Sequence, residues 1–234
     1  MRSRSVVQYI HPAGWPFIGI AIFLNLVLAM LGCFTFIIGC LLTAWCIYFF
    51  RNPERVTPTR AGLIVSPADG RVVAVEEVHP ASDLCLDGPR TRISIFLNVF
   101  DVHVNRMPAD GTVAIRAYRT GKFLNASLDK ASEDNERMAL VLQLRGEHPY
   151  DGKTLGVVQI AGLIARRIIC EAKEGDTYKA GERYGIIRFG SRADIYLPPG
   201  LAPLVSVGQY MIGGETVLAD CVSTEIARTA ETRR

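Results

Sequence analysis

Lysine and histidine are scarce in this chain and its cysteines follow no pattern, and each shortage removes a class of chemistry. The 234 residues contain five lysines (Lys122, Lys130, Lys153, Lys173, Lys179). None has a pyridoxal-type setting, and none sits beside methionine at a hairpin tip as the modified lysine of a biotinyl or lipoyl carrier does. Of the four histidines, His11, His79 and His148 precede proline and so belong to turns or loops, which leaves His103. Cys33, Cys40 and Cys46 share one apolar stretch, while Cys85, Cys170 and Cys221 are far apart with no CxxC or Cys/His spacing. Neither a disulfide framework nor a metal site is expected. There is no GxSxG elbow, which argues against a serine hydrolase working by repeated turnover. The net charge is only +3 and no nucleic-acid motif accompanies it, so no nucleic-acid partner is expected.

Charge is also missing from one place altogether. Between Phe17 and Phe50 no residue is ionisable as an acid or base of the Asp, Glu, Lys or Arg type, and Asn25, Thr35 and Thr43 are the notable polar interruptions. Crossing a bilayer takes about 20 apolar residues for roughly 30 Å, whereas one helix over this whole run would be about 51 Å long. A break near Gly32 gives two short helices, about 17–31 and 33–50, in a transmembrane hairpin. Arg2 and Arg4 precede the run and Arg51, Arg55 and Arg60 follow it, which places both ends on the cytoplasmic side. The run is too long for a signal peptide and lacks a small-residue cleavage site before Arg51. Residues 1–55 therefore read as an anchor in the inner membrane and 56–234 as a cytoplasmic domain. The juxtamembrane arginines, with Arg228, Arg233 and Arg234, suit an anionic lipid surface.

Beyond Pro53 and Pro58 the chain becomes a series of short β-type runs punctuated by Gly, Pro and Asp, so the domain reads as mainly β within an α+β class. Strands are predicted in GLIVSPADGRVVAVEEV, RTRISIFLNVF, GTVAIRAYR, MALVLQLR, TLGVVQIAGLIARRIICEA and ERYGIIRFG. The polar stretch from Lys122 to Arg137 reads as a long loop or short helix, and long loops in compact domains are often functional. EGDTYKAGE (174–182) and VGQYMIGGE (207–215) echo one another in Gly, Tyr, Gly and Glu. Such turns resemble those of the flattened barrel or sandwich hairpins of carrier domains, and either a duplicated hairpin or two unrelated glycine turns would produce them.

Three places could carry chemistry. His103 lies in DVHVNRMP, where the parity that is apolar from Ile93 to Val99 turns polar at Asp101, His103 and Asn105. That switch predicts a bulge or strand end near Phe100, and a histidine there either faces a cleft or is a hydrogen-bonded structural residue. Asp69 in SPADGRVVAV reads locally as a turn aspartate. Gly190-Ser191 interrupts a β-rich segment, which is usually a bend; it also places a hydroxyl beside a glycine carbonyl that can adopt unusual angles.

Taken together, SPADG at 66–70, FDVHVNRMPADG at 100–111, NER at 135–137 and RFGSR at 188–192 resemble the short, type A branch of the phosphatidylserine decarboxylase proenzymes. The order and spacing match across the domain, and the apolar N-terminus fits too. The resemblance implies self-cleavage at Gly190-Ser191, giving a β chain of residues 1–190 and an α chain of 191–234 that stay together as a heterodimer. Ser191 would become a covalent pyruvoyl cofactor that forms a Schiff base with the substrate amine and accepts electrons as carbon dioxide leaves. Asp69 and His103 match the family's aspartate and first histidine, with His103 as proton acceptor and Asp69 as its orienting carboxylate. The long bacterial form carries a second histidine where Arg106 stands, so His103 would serve alone. The implied substrate is phosphatidylserine in a membrane and the product phosphatidylethanolamine. A related aminophospholipid such as archaetidylserine would demand the same head-group chemistry, and a membrane-tethered carrier or adaptor domain is the alternative of another class. Homo-oligomerisation stays open. Because no residue assigned to chemistry precedes Asp69, the anchor is expected to concentrate the enzyme at its substrate and to stand apart from the site.

Overall fold

The computed structural model describes residues 9–121, 135–162, 167–188 and 191–231. It begins with helix α1 (Trp15–Ala29), which has a proline in its first turn, where a missing N–H leaves no bond unmade. The chain then reverses through Gly32, whose φ of 131° favours a residue without a side chain, into helix α2 (Cys33–Phe49). The two helices pack closely. Thr35 Oγ1 donates to Leu28 O at 2.7 Å, and a Cβ on Gly39 would lie only 2.0 Å from Asn25 Oδ1. The helical stretch Pro12–Ala29 is 18 residues long and apolar enough to cross a membrane, while α2 has 17 residues.

The rest is mainly β. In chain order the strands are β1 (Leu63–Val65), β2 (Gly70–Val78), β3 (Arg90–Leu97), β4 (Val104–Arg106), β5 (Gly111–Arg119), β6 (Arg137–Leu144), β7 (Thr154–Ala161), β8 (Ile168–Cys170), β9 (Thr177–Tyr178), β10 (Arg183–Ile187), β11 (Ser191–Tyr196), β12 (Tyr210–Met211) and β13 (Val217–Asp220). They form an eight-stranded sheet in the order β12-β2-β3-β11-β7-β6-β5-β9, a three-stranded sheet β4-β10-β8 and a pair β1-β13. Among the described residues no sheet closes into a barrel, which corrects the flattened barrel expected from the Gly-Glu turns. The large sheet ends at each side in a two-residue strand, too short to continue the ladder around to the other edge. Of the polar stretch from Lys122 to Arg137, residues 122–134 lie outside the described residues; Asn135 and Glu136 are buried and Arg137 opens β6.

The large sheet has at each side a two-residue edge strand next to a nine-residue strand. Pro67-Ala68-Asp69-Gly70 recurs as Pro108-Ala109-Asp110-Gly111, each leading into a nine-residue strand, β2 or β5. The two strands carry register shifts at matching points, Val72/Ala74 against β3 and Val113/Ile115 against β6. The echoing glycine turns supply the short edge strands: Met211 pairs with Gly70 and Tyr178 with Gly111. Their bonds repeat as well, Val72 N to Gln209 O at 2.9 Å and Val113 N to Asp176 O at 2.9 Å. The two halves thus repeat one pattern of pairing, which extends to β1-β13 and β4-β10. The PADG repeat was a visible sequence signal for it.

The main core lies against the inner face of the large sheet, with Ile93, Ile95, Leu140, Leu142, Tyr184 and Ile195 all buried. A second cluster joins the helices to the domain: Ile18, Phe49 and Phe50 pack with Val102, Val104 and Ile186. This corrects the expectation of an anchor standing apart, and the reason is that the apolar face at the end of α2 finds an apolar face on β4 and β10 to cover.

On β11, Arg192 Nε donates to Asp194 Oδ1 at 2.6 Å and Arg192 Nη2 to Asp194 Oδ2 at 2.8 Å, with side chains no more than 1% exposed. Removing one partner of a buried pair leaves a stranded charge. Asp194→Ala is expected to cost about 3–5 kcal/mol of stability, measured by denaturant unfolding of the detergent-solubilised protein.

Candidate active site

Strand β3 stops at Leu97 and the chain turns over Asn98–Asp101, with Asp101 N donating to Asn98 O at 3.0 Å. The parity switch in the sequence marks this strand end. The Asp101 carboxylate secures the turn, accepting from Asn98 N at 2.8 Å and from Tyr210 Oη at 2.7 Å. His103 follows, fully buried, with Nδ1 3.0 Å from Asp101 O. A carbonyl only accepts, so Nδ1 carries the proton and Nε2 the lone pair. Burial, with a smaller push from Arg51, drives the His103 pKa down to about 4 against the opposing bond to Asp101, so the imidazole is neutral at pH 7. Its Nε2 has no hydrogen-bond partner among the described residues.

Ser191 begins β11, the strand held on both sides by β3 and β7, where it faces Leu97 and Ala161. Opposed residues on neighbouring strands share a face, so Ser191 and Ala193 lie on the face of Leu97 and Gln159. Ala193 packs against Leu97 and Ala68, next to Asp69. Gln159 Nε2 donates to Asn105 Oδ1 at 2.8 Å, two residues beyond His103. Sheet register thus turns Ser191 toward the segments that carry Asp69 and His103. Ser191 is fully buried and its Oγ, like His103 Nε2, has no hydrogen-bond partner among the described residues. Gly190 lies outside the described residues.

Asp69 is buried, but its carboxylate points elsewhere than the imidazole. Oδ1 accepts from Gly213 N at 2.7 Å and Oδ2 from Arg55 Nη2 at 2.6 Å. Burial raises its pKa, while the Gly213 N–H and Arg55 act in the other direction. The bond that orients His103 is made by Asp101. Arg106 donates to Gly181 O and Pro53 O, each at 2.8 Å. Burial, then the charges of Arg183 and Arg55, lower its pKa to about 10. Arg55, Arg106 and Arg183 line an open pocket of about 580 Å³.

Some residues of the site escape sequence reasoning. Asn135 Nδ2 donates to Ala161 O at 2.8 Å, so the first residue of the NER motif braces the strand partner of Ser191. Asp101 and Tyr210 hold the loop of His103, and Phe49 lies against the imidazole with ring centroids 4.3 Å apart. Asp101 stands within the motif that singled out His103; Phe49 is hidden among apolar neighbours. A pyruvoyl group derived from Ser191 would fit these residues, since the hydroxyl is buried without a partner among the described residues and a neutral imidazole presents a lone pair.

The depressed histidine pKa has a consequence for stability. The unfolded chain, with its histidine near 6.5, takes up a proton before the folded one does, so the stabilisation present above about 6.5 is lost as pH falls toward 4. Between pH 7 and 5 the loss from this one group is about 2 kcal/mol. Denaturant midpoints of Ser191→Ala protein at the two pH values are expected to show it, and His103→Leu in the same background is expected to lack it.

Comparison with known proteins gives the family. A family model described as phosphatidylserine decarboxylase matches residues 42–219. A phosphatidylserine decarboxylase proenzyme of Paramagnetospirillum magneticum is 55% identical over 229 residues, covering 96% of this chain and 92% of the relative. The proenzyme of Cereibacter sphaeroides is 57% identical over 218 residues, 93% of this chain and 90% of its own length, and that of Gluconacetobacter diazotrophicus 63% identical over 176 residues, 75% and 76%. A match of this extent, running from the second helix through the strand that begins with Ser191, makes the chain a member of the phosphatidylserine decarboxylase family.

Proposed function

We propose that this chain is a pyruvoyl-dependent carboxy-lyase that cuts itself between Gly190 and Ser191 and then converts phosphatidylserine to phosphatidylethanolamine at the cytoplasmic face of the inner membrane. The observation that carries the reading is a pair of buried atoms, Ser191 Oγ and His103 Nε2, that have no hydrogen-bond partner among the described residues. An unsatisfied buried polar group costs about 1–3 kcal/mol, and such groups persist where chemistry uses them.

In maturation, His103 Nε2 takes the hydroxyl proton as Ser191 Oγ attacks the carbonyl carbon of Gly190; the peptide C–N bond breaks and an ester joins the two chains. Elimination releases the residue-190 carboxylate, and hydrolysis of the dehydroalanine left at position 191 frees ammonia and yields the ketone. The serine is consumed, so this happens once per molecule. The pyruvoyl group then supplies an electron sink for decarboxylation comparable to pyridoxal phosphate. His103 moves the proton that restores the substrate carbon. Asp69 acts as a positioning residue, tying Arg55 and the Gly213 turn beside Ala68, which packs on Ala193. The cations of Arg55, Arg106 and Arg183 next to it suit a phosphate and carboxylate head group.

The helices support the location. Ile20, Phe23, Leu24, Met30, Leu31, Phe34 and Leu41 are exposed on α1, α2 and their turn, a surface suited to lipid and costly in water. With arginines at both ends, we read residues 1–55 as a hairpin anchor with both termini cytoplasmic, and 56–234 as the catalytic domain.

Wild-type protein is expected to appear as two fragments, with the smaller, residues 191–234, blocked to Edman degradation. Ser191→Ala is expected to remain one inactive chain, and Ser191→Cys to cleave slowly. Intact mass and release of labelled carbon dioxide from phosphatidylserine measure both; an active, uncut chain would refute the reading. His103→Ala is expected to slow self-cleavage by about 100-fold to 10,000-fold, the usual effect of losing a positioned base, as followed on denaturing gels.

A further inference from the structure

We propose that Phe49, at the end of α2, is a positioning residue for His103, so that the membrane anchor forms one wall of the active site. This rests on the reading of His103 as the proton acceptor in self-cleavage. The Phe49 and His103 rings lie 4.3 Å apart between centroids at an interplanar angle of 38°, and both side chains are fully buried. The contact is the last in a chain of aromatic rings that starts on the other helix. Phe17 of α1 stacks on Phe50 at 5.4 Å, and Phe50 meets Phe49 edge-on at 5.0 Å.

The segment after α2 is fastened to the domain on several sides, which keeps Phe49 in place. Arg51 Nη2 donates to Phe100 O at 2.7 Å, in the turn just before His103. Arg106 and Arg183 both donate to Pro53 O, at 2.8 and 3.3 Å. Val56 N donates to Glu215 Oε1 at 2.8 Å, and Arg55 pairs with Asp69 at 2.6 Å. The anchor therefore reaches two of the three residues assigned to the chemistry, His103 through Phe49 and Asp69 through Arg55.

A flat apolar ring over an imidazole does two things. It holds the ring plane, so that the Nδ1–H to Asp101 O bond fixes which nitrogen carries the lone pair, and it keeps water away from the histidine. The charged groups facing His103 are few: Arg51 from the anchor side, and from its own loop Asp101, whose carboxylate is already bound by Asn98 N and Tyr210 of β12. Strand β10 brings Ile187 N, on His103 O at 3.2 Å, with Ile186 in the apolar cluster. Burial, to which Phe49 of the anchor contributes one wall, is then the main influence keeping this histidine deprotonated.

The test uses the full chain made by cell-free synthesis into detergent micelles, with self-cleavage timed from about pH 4.5 to 8. In the wild type the acid limb of the rate is expected near pH 4, following the histidine. In Phe49→Ala it is expected to move toward about 6.5, so that at about pH 5.5 the rate falls up to about tenfold below its own plateau. Phe49→Leu, which keeps an apolar cover, is expected to shift the limb the same way by less, and it serves as the test where the alanine variant does not fold. Histidine titration by NMR in the uncut Ser191→Ala background is expected to move in parallel. An unchanged acid limb and an unchanged His103 titration in the folded variants would overturn the proposal. Failure of the underlying reading has another signature: His103→Ala would then cut itself at the wild-type rate whatever stands at position 49.

Discussion

Each half of the domain is closed by a carboxylate that captures a backbone N–H from the glycine turn after the adjoining edge strand. Asp69 takes Gly213 N at 2.7 Å, and Asp110 takes Ala180 N at 2.8 Å. Around these two bonds the remaining connections repeat: Gly214 N reaches Ser66 O, and Gly181 N reaches Met107 O. The glycines that follow the aspartates sit where a side chain would strike a neighbouring strand, since a Cβ on Gly70 would lie 2.2 Å from Phe96 O and one on Gly111 2.7 Å from Gln143 O. The PADG sequence is thus required twice by the fold, before any question of catalysis arises.

The site lies where the two halves stop matching. Asp110 pairs with Lys179 in the open, with side chains 42% and 76% exposed, whereas Asp69 pairs with Arg55 at 9% and 14%. The main chain of His103 accepts from Ile187 N, and in the other half the corresponding acceptor, for Cys221 N, is Gly62. A turn glycine in one copy is thus an imidazole in the other. The arginine that makes the Asp69 ion pair comes from outside the duplicated unit, from the segment leaving the anchor. Asymmetry between the halves and docking of the helices are two aspects of one arrangement, because the helices cover β4 and β10 of one half.

This arrangement explains what the sequence discloses and what it conceals. A break at Gly32, the alternating strands and the parity switch before His103 are local patterns, and each coincides with a feature of the fold. The PADG repeat is equally local and marks the duplication. Asp69 looks like a turn residue because it is one, with the same bond as Asp110; no local feature tells the two apart. Phe49 is one apolar residue in an uncharged run, and its neighbour His103 is far along the chain, so no periodicity could announce the contact. Arg55 reads as a flanking charge for lipid head groups until its pairing with a buried carboxylate is seen. Ser191 likewise stands out only through the motif around it, since a serine at the start of a buried strand has no distinctive pattern.

The place of Ser191 in the sheet also bears on how a chain can be cut and keep its site. β11 is bonded to β3 through six residue pairs from Ser191–Leu97 to Tyr196–Arg92, and to β7 through six more. A break before Ser191 frees an end in the middle of the sheet, flanked on both sides, where fraying would require parting two ladders at once. The segment beyond is secured again by β12 on β2 and β13 on β1, and the Arg192–Asp194 pair stays within it. Under the self-cleavage proposed above, the new terminus would therefore remain where the intact chain held the hydroxyl, because its position is specified by strand pairing and not by the peptide bond before it.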